Sequence, residues 1–355
     1  MLDYIIVGGG LAGIAFAEFC KKNNKKFVLV SDSSENSSVI AGGMYNPVVL
    51  KRFTPIWQAA EQTNFAKDFY THLESEWNNS LYHALPLYRK FVSVEEQNDW
   101  IIASDKPVLH SFLHDKFIAN VNQYIPSDFG FGLVNDCGYL NTTDYLYCAI
   151  NELKKYECFL SETFCYDQIV FENDYVIYKT LKSKNIVFAE GFGMRNNPFF
   201  NSLPLDGTKG EVLSIYAPNL KLDSIVKSSV FIMPLGNDYY KVGATYNWQD
   251  KTDIPTEEGK QELIAELEKL ISCDYTIVNH FAGVRPTVKD RRPLLGTHPV
   301  YKNLHVLNGM GTRGVLLAPF MAKALFDYLE YNEKLDKNIS IERFKDFVSN
   351  SYQNV

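Results

Sequence analysis

The glycines at positions 8, 9, 10 and 13 constrain this chain more than any other feature of its sequence. They follow the apolar run 3–7, which reads as a buried strand, and precede a helically spaced segment, 11–22, and a second apolar run, 27–30. In such a strand–helix–strand unit the glycines make a tight turn, let the backbone approach a diphosphate and let helix and strand pack closely. The helix N-terminus then favours an anion. The pattern predicts a dinucleotide whose diphosphate is bound by Gly8, Gly10, Leu11, Ala12 and Gly13.

The ribose of a bound dinucleotide usually meets an acidic side chain at the end of the second strand. The usual position is Ser31, and Asp32 follows it. Two assignments stay open: a shift of one residue lets Asp32 bind the ribose, which we favour, or Ser31 binds it more weakly. The sequence has no second Gly-x-Gly-x-x-Gly, so we expect one dinucleotide. A cradle near the amino end fits FAD better than NAD, because distant segments can hold the isoalloxazine.

Composition narrows the class of protein. The chain has 355 residues, of which 46% are hydrophobic, and this excludes a disordered chain. Its length suggests about two domains, and because no flexible linker separates them we expect the domains to be interleaved. The net charge of −7 gives no overall field that would attract nucleic acid.

Cysteine usage and hydropathy indicate the cellular compartment of the protein. Six cysteines occur without a Cys-x-x-Cys pair, and there is no His-Glu-x-x-His, so we expect reduced thiols and no metal site. The most apolar segment, 4–20, contains four glycines and has no Lys or Arg before it, which does not suit a signal peptide or a membrane span. These observations predict a soluble cytoplasmic protein.

Periodicity predicts further elements along the chain. Helices are expected at 54–77, 143–155, 258–272, 315–331 and 341–348. Strands are expected near 158–164, 168–171, 174–179, 185–189 and 304–307, with a hairpin of 226–233 and 240–246 around Gly236-Asn237-Asp238. Residues 78–137 are aromatic and irregular, and the sequence does not place their strands.

The C-terminal third carries the most specific motifs. They are Gly283-Val284-Arg285-Pro286, continuing to His298-Pro299, and Asn308-Gly309-Met310-Gly311-Thr312-Arg313-Gly314-Val315. Shorter matches are Ala41-Gly42-Gly43-Met44, Gly138-Tyr139-Leu140-Asn141, Lys209-Gly210-Glu211 and Val242-Gly243-Ala244-Thr245. In this order, and with the N-terminal glycines, the chain resembles the D-amino acid oxidase family of FAD enzymes. Glycine oxidase is nearest in pattern, and the flavin domain of the tRNA methylaminomethyl-thiouridine enzyme belongs to the same family.

The resemblance implies an α/β (α+β) fold with two interleaved domains. A Rossmann-like domain that binds FAD non-covalently would comprise 1–50, 138–200 and 282–335. A substrate domain built on a mainly antiparallel sheet would comprise 51–137 and 201–281, and 336–355 would form a C-terminal helix or tail.

The resemblance also implies which residues face the flavin. The glycine-rich loop before the last long helix would stabilise negative charge on the pyrimidine edge of the reduced ring through its N–H groups and the helix dipole. Its cofactor-binding residues are Gly309, Gly311, Thr312, Gly314 and Val315. A second segment would run beside the ring and contains Ala41, Gly42, Gly43 and Met44. Gly191 belongs to a further family stretch, in which Glu190 replaces a common threonine.

Four residues are expected to bind substrate. Arg285 occupies the position of the family's carboxylate-binding arginine, and a planar guanidinium suits a carboxylate. Phe231 stands where glycine oxidase has a tyrosine, so Tyr246 would supply the hydroxyl that Phe231 lacks. Arg313 lies one place from an arginine in the glycine oxidase pattern. His280, His298 and His305 are candidate bases, but a neutral amine needs none, and no catalytic residue is assigned.

We therefore predict an FAD-dependent oxidoreductase that oxidises a primary or secondary amine, with a small amino acid as substrate class, to an imine. One alternative is modification of a tRNA wobble uridine, favoured by Asn46-Pro47, Lys51-Arg52 and the basic run 285–292 but opposed by the net acidity. Another is a flavoprotein subunit without turnover. The sequence leaves the electron acceptor and the oligomeric state open.

Overall fold

A computed structural model describes residues 1–32, 37–40 and 42–347. The chain divides into two compact units. Unit 1 comprises Met1–Val39, Thr142–Thr208 and Val284–Val355, and unit 2 comprises Ile40–Asn141 and Lys209–Gly283. Each unit is therefore assembled from segments that are far apart in the sequence.

The described residues contain α-helices that we number in chain order. These helices are α1 (Leu11–Lys22), α2 (Ser37–Ile40), α3 (Ala59–Trp77), α4 (Val94–Ser104), α5 (Thr142–Lys155), α6 (Glu257–Glu268) and α7 (Gly314–Tyr331). Short 3-10 helices lie at Tyr166–Gln168, Gly191–Asn196 and Ile341–Arg343.

The strands are numbered in the same way. The first ten are β1 (Leu2–Val7), β2 (Phe27–Val30), β3 (Met44–Tyr45), β4 (Val48–Val49), β5 (Thr54–Pro55), β6 (Tyr82–Ala84), β7 (Leu87–Lys90), β8 (Leu113–Ile118), β9 (Phe131–Val134) and β10 (Gly138–Leu140). The others are β11 (Phe159–Leu160), β12 (Ile169–Phe171), β13 (Val176–Tyr178), β14 (Leu181–Phe188), β15 (Leu205–Tyr216), β16 (Ile225–Lys227), β17 (Phe231–Gly236), β18 (Tyr239–Gly243), β19 (Thr276–Val288), β20 (Leu294–Thr297) and β21 (Leu304–Asn308).

Unit 1 is built on a sheet with the order β11-β2-β1-β14-β13-β12, in which β21 also pairs with β14 and β20. The pairs β11–β2, β2–β1, β1–β14 and β14–β21 are parallel. Strand β1 is central and apolar, as parallel strands covered on both faces are, and α1 packs against α7. This arrangement confirms the predicted Rossmann-like half of the fold.

The core of unit 1 lies against one face of this sheet. Ile5, Ile186, Phe188 and Val306 are fully buried there, and they belong to a cluster that includes Phe200. Parallel strands feeding helices place the carboxyl ends of β1, β14 and β21 at one edge, which is where such sheets bind ligands.

Unit 2 contains most of a second large sheet, ordered β19-β15-β18-β17-β16-β7-β9-β8. Its described pairs are antiparallel except β16–β7. Residues Leu213, Val226, Ile232 and Val242 form its buried face with Leu267 of α6. A smaller antiparallel sheet has the order β3-β10-β6. With unit 1, this mainly antiparallel sheet confirms the α/β (α+β) fold class.

Most predicted elements lie where periodicity put them. The helix expected at 11–22 is α1, and those expected at 143–155 and 315–331 match α5 and α7 to within one residue. The predicted helix 258–272 ends earlier, at Glu268 in α6. The predicted last helix, 341–348, begins with the 3-10 turn Ile341–Arg343, and its end at 348 falls outside the described residues.

Several predicted elements have different bounds. The helix expected from 54 begins at Ala59, because Thr54–Pro55 pairs with Val48–Val49 as β5. The single strand expected at 226–233 is two strands, β16 and β17, because the chain turns at 228–230, where the Ser228 N–H donates to the Val230 carbonyl. The strand expected at 240–246 ends at Gly243. No helix among the described residues is long and apolar enough to cross a membrane.

Candidate cofactor and substrate site

The Gly8–Gly13 turn forms a cradle that side chains would fill. Gly8 has φ +107°, and a Cβ there would lie 2.4 Å from the Ala189 carbonyl oxygen. A Cβ at Gly13 would lie 2.0 Å from the Gly8 carbonyl oxygen. The Gly8 N–H donates to the Val30 carbonyl at 2.9 Å, which holds the start of the turn between β1 and α1 against the end of β2. Backbone this closely packed leaves room for a diphosphate at the start of α1.

The two glycine-rich loops lie together in unit 1. A Cβ at Gly314, the first residue of α7, would lie 3.1 Å from Cδ1 of Leu11, the first residue of α1. Neither helix has an acidic residue in its first turn. Two helix N-termini, both favouring negative charge, are thus neighbours at one edge of the sheet. An extended nucleotide could contact both.

The ribose candidates occupy different surroundings. Ser31 is half-buried, and its Oγ lies 3.0 Å from where a Cβ on Gly9 would be. Asp32 is exposed, and its Oδ2 accepts a hydrogen bond from the Thr163 hydroxyl at 2.6 Å. Of these two candidates, Ser31 is the one whose side chain lies beside the cradle.

Gly191 lies beside the second glycine loop. Its carbonyl accepts a hydrogen bond from Nδ2 of Asn308, the last residue of β21, at 2.9 Å. The preceding Glu190 accepts hydrogen bonds from the Tyr166 hydroxyl at 2.5 Å and from Asn197 Nδ2 at 2.7 Å. Glu190 therefore anchors the turn that presents Gly191.

The loop 309–313 joins β21 to α7. Gly309 has φ +77° and Gly311 has φ +55°, both left-handed, and a Cβ on Gly311 would meet no atom within 4 Å. The Gly311 N–H donates to the Pro286 carbonyl at 3.0 Å. This bond ties the loop to β19, the strand that carries the predicted substrate-binding arginine.

Arg285 is half-buried in β19, one residue before Pro286. Val284 and Val288 are buried on the alternate face of the strand, so Arg285 lies on the opposite face, together with Thr287. The Thr208 hydroxyl donates to Thr287 Oγ1 at 3.2 Å on that face.

The remaining unit 1 candidates lie at the start of α7. Thr312 is exposed, Arg313 is half-buried at the N-cap position, and Val315 is buried. The Arg313 N–H donates to the Met310 carbonyl at 3.2 Å, so the backbone of the loop closes into a turn before the helix begins.

Five of the predicted site residues lie in unit 2, namely Gly42, Gly43, Met44, Phe231 and Tyr246. Ala41 falls outside the described residues. Gly43 has φ +70°, and a Cβ there would lie 2.1 Å from the Leu140 carbonyl oxygen. Met44 pairs with Tyr139. Phe231 is 6% exposed, and its Cζ lies 3.0 Å from where a Cβ on Gly42 would be. The tip of the Phe231 ring, where a tyrosine would carry its hydroxyl, thus points at the 42–44 segment.

Tyr246 lies beyond the end of β18 and is 61% exposed. Phe231, by contrast, is buried and pairs with Gly243 within the sheet. The structure does not bury these two aromatic side chains together. Beyond Gly243 the chain continues to bond β15, through Thr245 to Glu211 and through Asn247 to Lys209, and leaves Tyr246 exposed.

A buried polar network in unit 2 was not singled out as functional in the sequence. The Lys209 ammonium is fully buried and donates to Asp250 Oδ2 and to the Ile254 carbonyl, both at 2.5 Å. The Glu211 carboxylate accepts from the Thr256 hydroxyl at 2.7 Å and lies 2.8 Å from His280 Nε2. The network anchors 250–256 to β15. Only the Lys-Gly-Glu motif signals it in the sequence.

The histidines of unit 1 serve the fold. His305 is buried in β21, where Nδ1 lies 2.9 Å from the Thr297 hydroxyl and Nε2 lies 3.0 Å from Asn185 Oδ1. Burial lowers its pKa to about 3. His298 Nδ1 accepts from the Val300 and Tyr301 N–H groups, and burial lowers its pKa to about 4.

The described residues contain no cluster of His, Cys, Asp or Glu that could hold a metal ion. All six cysteines are free.

Known proteins resemble this chain in sequence. The family model described as FAD dependent oxidoreductase (DAO) matches residues 3–328. Glycine oxidase of Bacillus subtilis is 25% identical over 158 residues, which are 42% of this chain and 42% of that protein. The tRNA 5-methylaminomethyl-2-thiouridine biosynthesis bifunctional protein MnmC of Marinobacter nauticus is 21% identical over 355 residues, covering 91% of this chain. The chain spans only 42% and 54% of the length of these two relatives.

Solved structures share the fold over nearly the whole chain. Iminodiacetate oxidase from a Chelativorans species superposes with a TM-score of 0.81 at 14% identity, covering 95% of this chain and 99% of its own. Glycine oxidase from Bacillus cereus superposes with a TM-score of 0.78 at 19% identity, covering 94% of this chain and 96% of its own.

Proposed function

Because the chain belongs to the DAO family of FAD-dependent oxidoreductases, we propose that it oxidises the C–N bond of a primary or secondary amine, with small amino acids as its substrate class. The flavin of FAD supplies the acceptor for a hydride from the carbon next to nitrogen. The protein's own residues bind and orient the amine, and the imine product then reacts with water.

The observation that carries this proposal is the link between Arg285 and the glycine loop. The Gly311 N–H donates to the carbonyl of Pro286, next to Arg285. The backbone that carries the half-buried Arg285 is thereby joined to the loop that opens α7. Such a guanidinium binds a carboxylate through two parallel hydrogen bonds, which fixes the direction of the C–H bond.

The cofactor would be held mainly by unit 1. We assign the diphosphate to Gly8, Gly10, Leu11, Ala12 and Gly13, and the ribose to Ser31, where the sequence favoured Asp32. Ser31 is supported by its position over Gly9, whereas the Asp32 carboxylate bonds Thr163. The flavin contacts proposed for unit 1 are Gly191, Gly309, Gly311, Thr312, Gly314 and Val315. The flavin contacts that the resemblance predicts for Gly42, Gly43 and Met44 stay predictions.

No general base is assigned. Lowered pKa values keep His298 and His305 neutral at pH 7, but each is engaged in the packing of unit 1. An amine that binds in its neutral form already has the lone pair that drives departure of the hydride, so binding geometry and exclusion of water suffice.

The proposal is tested by anaerobic bleaching of the purified flavoprotein. Glycine, sarcosine, proline and D-amino acids are mixed with the protein in the absence of oxygen, and the flavin absorbance is followed. Bleaching by at least one of them is expected. If none bleaches the flavin, amino acid oxidation is wrong.

Arg285 gives the proposal a residue-level test. Arg285→Ala should raise the KM for the best carboxylate substrate by about two orders of magnitude, since a charged hydrogen-bonded pair contributes about 2–3 kcal/mol. Arg291→Asn is the matched control: Arg291 is exposed with φ +57°, a conformation that asparagine tolerates. An unchanged KM in Arg285→Ala would remove Arg285 from the substrate site.

A second candidate is oxidation of a modified tRNA uridine. It is supported by the alignment with the bifunctional tRNA-modification protein, which covers 91% of this chain, and by the exposed Lys51-Arg52. Bleaching by carboxymethylaminomethyl-modified tRNA, without bleaching by free amino acids, would favour it. A flavoprotein that neither class bleaches would act without turnover of amines.

A further inference from the structure

Two neighbouring strands of unit 1 lead into glycine turns at the same edge of the sheet. Strands β14 and β21 are parallel, and the residues of β14 that pair with β21 are Ile186 to Phe188. Beyond these pairs, β14 leads to the turn at Gly191, and β21 leads to the loop 309–313. The carboxyl ends of adjacent parallel strands are where such sheets bind ligands.

The side chain of Asn308 joins these two turns. Its Nδ2 donates to the Gly191 carbonyl at 2.9 Å, and its Oδ1 accepts from the Gly309 N–H at 2.7 Å. Asn308 is buried, with 3% of its surface exposed. Because one amide group uses its donor on the first turn and its acceptor on the second, it holds the two turns at a defined spacing.

The Gly191 turn is also held by Glu190, but towards a different part of unit 1. The Glu190 carboxylate accepts hydrogen bonds from the Tyr166 hydroxyl and from Asn197 Nδ2. These contacts tie the turn to the segment 166–197, which does not include β21. The bond from Asn308 therefore adds a tie between the two turns that the Glu190 contacts do not supply.

Both turns present glycine backbone to open space. Gly191 has φ +58° and Gly311 has φ +55°, and a Cβ on either would meet no atom of the described residues within 4 Å. Backbone without side chains allows a ligand to approach its N–H groups closely. The loop 309–313 also precedes α7, whose N-terminus favours negative charge.

We propose that Asn308 is a positioning residue. Its amide sets the spacing between the Gly191 turn and the loop 309–313, and this spacing determines how tightly the protein binds FAD and how strongly it favours the reduced form. The proposal rests on the flavin contacts proposed above for Gly191 and Gly311, but it does not rest on the oxidation of an amine.

The reduced flavin should depend on this spacing more than the oxidised flavin does. Reduction places negative charge on the pyrimidine edge of the ring, and hydrogen bonds to a charged acceptor are about twice as strong as those to a neutral one. Displacement of the N–H groups of the loop 309–313 therefore costs the reduced form more. The ratio of the two affinities sets the reduction potential of the bound flavin.

An FAD titration of the apoprotein and a measurement of the flavin midpoint potential test the proposal. Asn308→Ala should weaken the binding of oxidised FAD about 10-fold, because it leaves the Gly191 carbonyl and the Gly309 N–H without this partner. Reduced FAD should lose about 10-fold more, which lowers the two-electron potential by about 30 mV. An unchanged potential would overturn the proposal, since a side chain that only stabilises unit 1 does not distinguish the two redox forms.

Asn303→Ala is the matched control. The Asn303 Nδ2 donates to the carbonyl of Lys184 in β14 at 2.7 Å, and Asn303 directly precedes β21. It thus makes the same kind of tie between the same strands, but towards their amino ends. The variant should keep the FAD affinity within about twofold of wild type. Equal losses in Asn303→Ala and Asn308→Ala would contradict a specific role for Asn308.

Asn308→Leu guards against two failures of the alanine variant. Leucine fills the space of the amide, so it leaves neither a cavity that destabilises unit 1 nor room for a water molecule that replaces the hydrogen bonds. It adds no charge that would itself move the potential. The losses should be at least as large as in Asn308→Ala, and wild-type affinity for both redox forms would overturn the proposal.

The outcomes are separate from those of the proposed amine oxidation, because the potential is measured with a chemical reductant and indicator dyes. If the Asn308 variants show both losses and no amine bleaches the wild-type flavin, the role of Asn308 stands and amine oxidation fails. If an amine bleaches the flavin and the variants bind both redox forms as the wild type does, amine oxidation stands and this inference fails.

Discussion

The close approach of Gly13 to Gly8 makes Gly13→Ala a severe test of the cradle. A Cβ at position 13 would lie 2.0 Å from the Gly8 carbonyl oxygen. Carbon and oxygen atoms that are not bonded to each other normally stay about 3.3 Å apart. The two backbones must therefore separate by about 1 Å, which moves α1 away from the end of β1.

The cost of this separation exceeds the gain from alanine. Alanine improves helix propensity by about 1 kcal/mol over glycine, whereas overpacking costs about 1–3 kcal/mol and sometimes more. The free protein can relax by shifting α1, but a bound diphosphate needs the original spacing. We therefore expect most of the cost to appear as a loss of FAD affinity, of about 10- to 100-fold.

The assay is titration of the apoprotein with FAD, followed by flavin fluorescence. Gly259→Ala provides the matched control, because its Cβ would also be overpacked, at 2.5 Å from the carboxyl carbon of Glu211, but in unit 2 and outside the proposed cofactor site. Gly259→Ala should lose stability but keep its FAD affinity within about threefold of wild type. Wild-type affinity in Gly13→Ala, or an equal loss in both variants, would refute the steric reasoning.

Two further predictions concern the ribose and the acid stability of unit 1. Ser31→Ala should weaken FAD binding about fivefold, because it removes one neutral hydrogen bond. Asp32→Ala should weaken FAD binding less. If an FAD titration gave the reverse order, Asp32 would be the residue that binds the ribose. Burial lowers the pKa of His305 to about 3, against about 6.5 in an unfolded chain. The unfolded chain thus takes up a proton that the native protein does not, and the free energy of unfolding falls by about 1.4 kcal/mol per pH unit as the pH drops from 6.5 towards 3. In His305→Gln, the free energy of unfolding, measured with urea at pH 6.5, 5.5 and 4.5, should fall less steeply with decreasing pH than in the wild type. Equal slopes in the two proteins would show that another group is responsible.

Local signals explain what the sequence could predict. The first strand, helix and second strand follow one another within 30 residues, and glycine spacing fixes the turn between them, so their bounds were read correctly. The same holds for α7, which follows a glycine loop and has long apolar periodicity. The family resemblance added the order of the motifs and the antiparallel sheet of the second unit, which periodicity could not supply.

Distant pairing explains what the sequence could not predict. The sequence does not predict strand β7, which lies within 78–137, because its partner β16 comes more than a hundred residues later in the chain. The surroundings of Phe231 likewise depend on the register between β16, β17 and β18, and a shift of one residue would turn its side chain to the other face of the sheet. Tyr246 was expected in a strand, but β18 ends at Gly243, which left the tyrosine exposed.

The discontinuity of unit 1 bears on how the protein is made. The Tyr4 hydroxyl donates to Glu330 at 2.6 Å, a contact between residues 326 positions apart. At a synthesis rate of about 5–20 residues per second, β1 and α1 leave the ribosome roughly 15–60 seconds before α7 can cover them. During this time the apolar strands of the nascent nucleotide-binding half stay uncovered. The yield of folded protein in a cell should therefore depend on chaperones more than on the final stability of the native state.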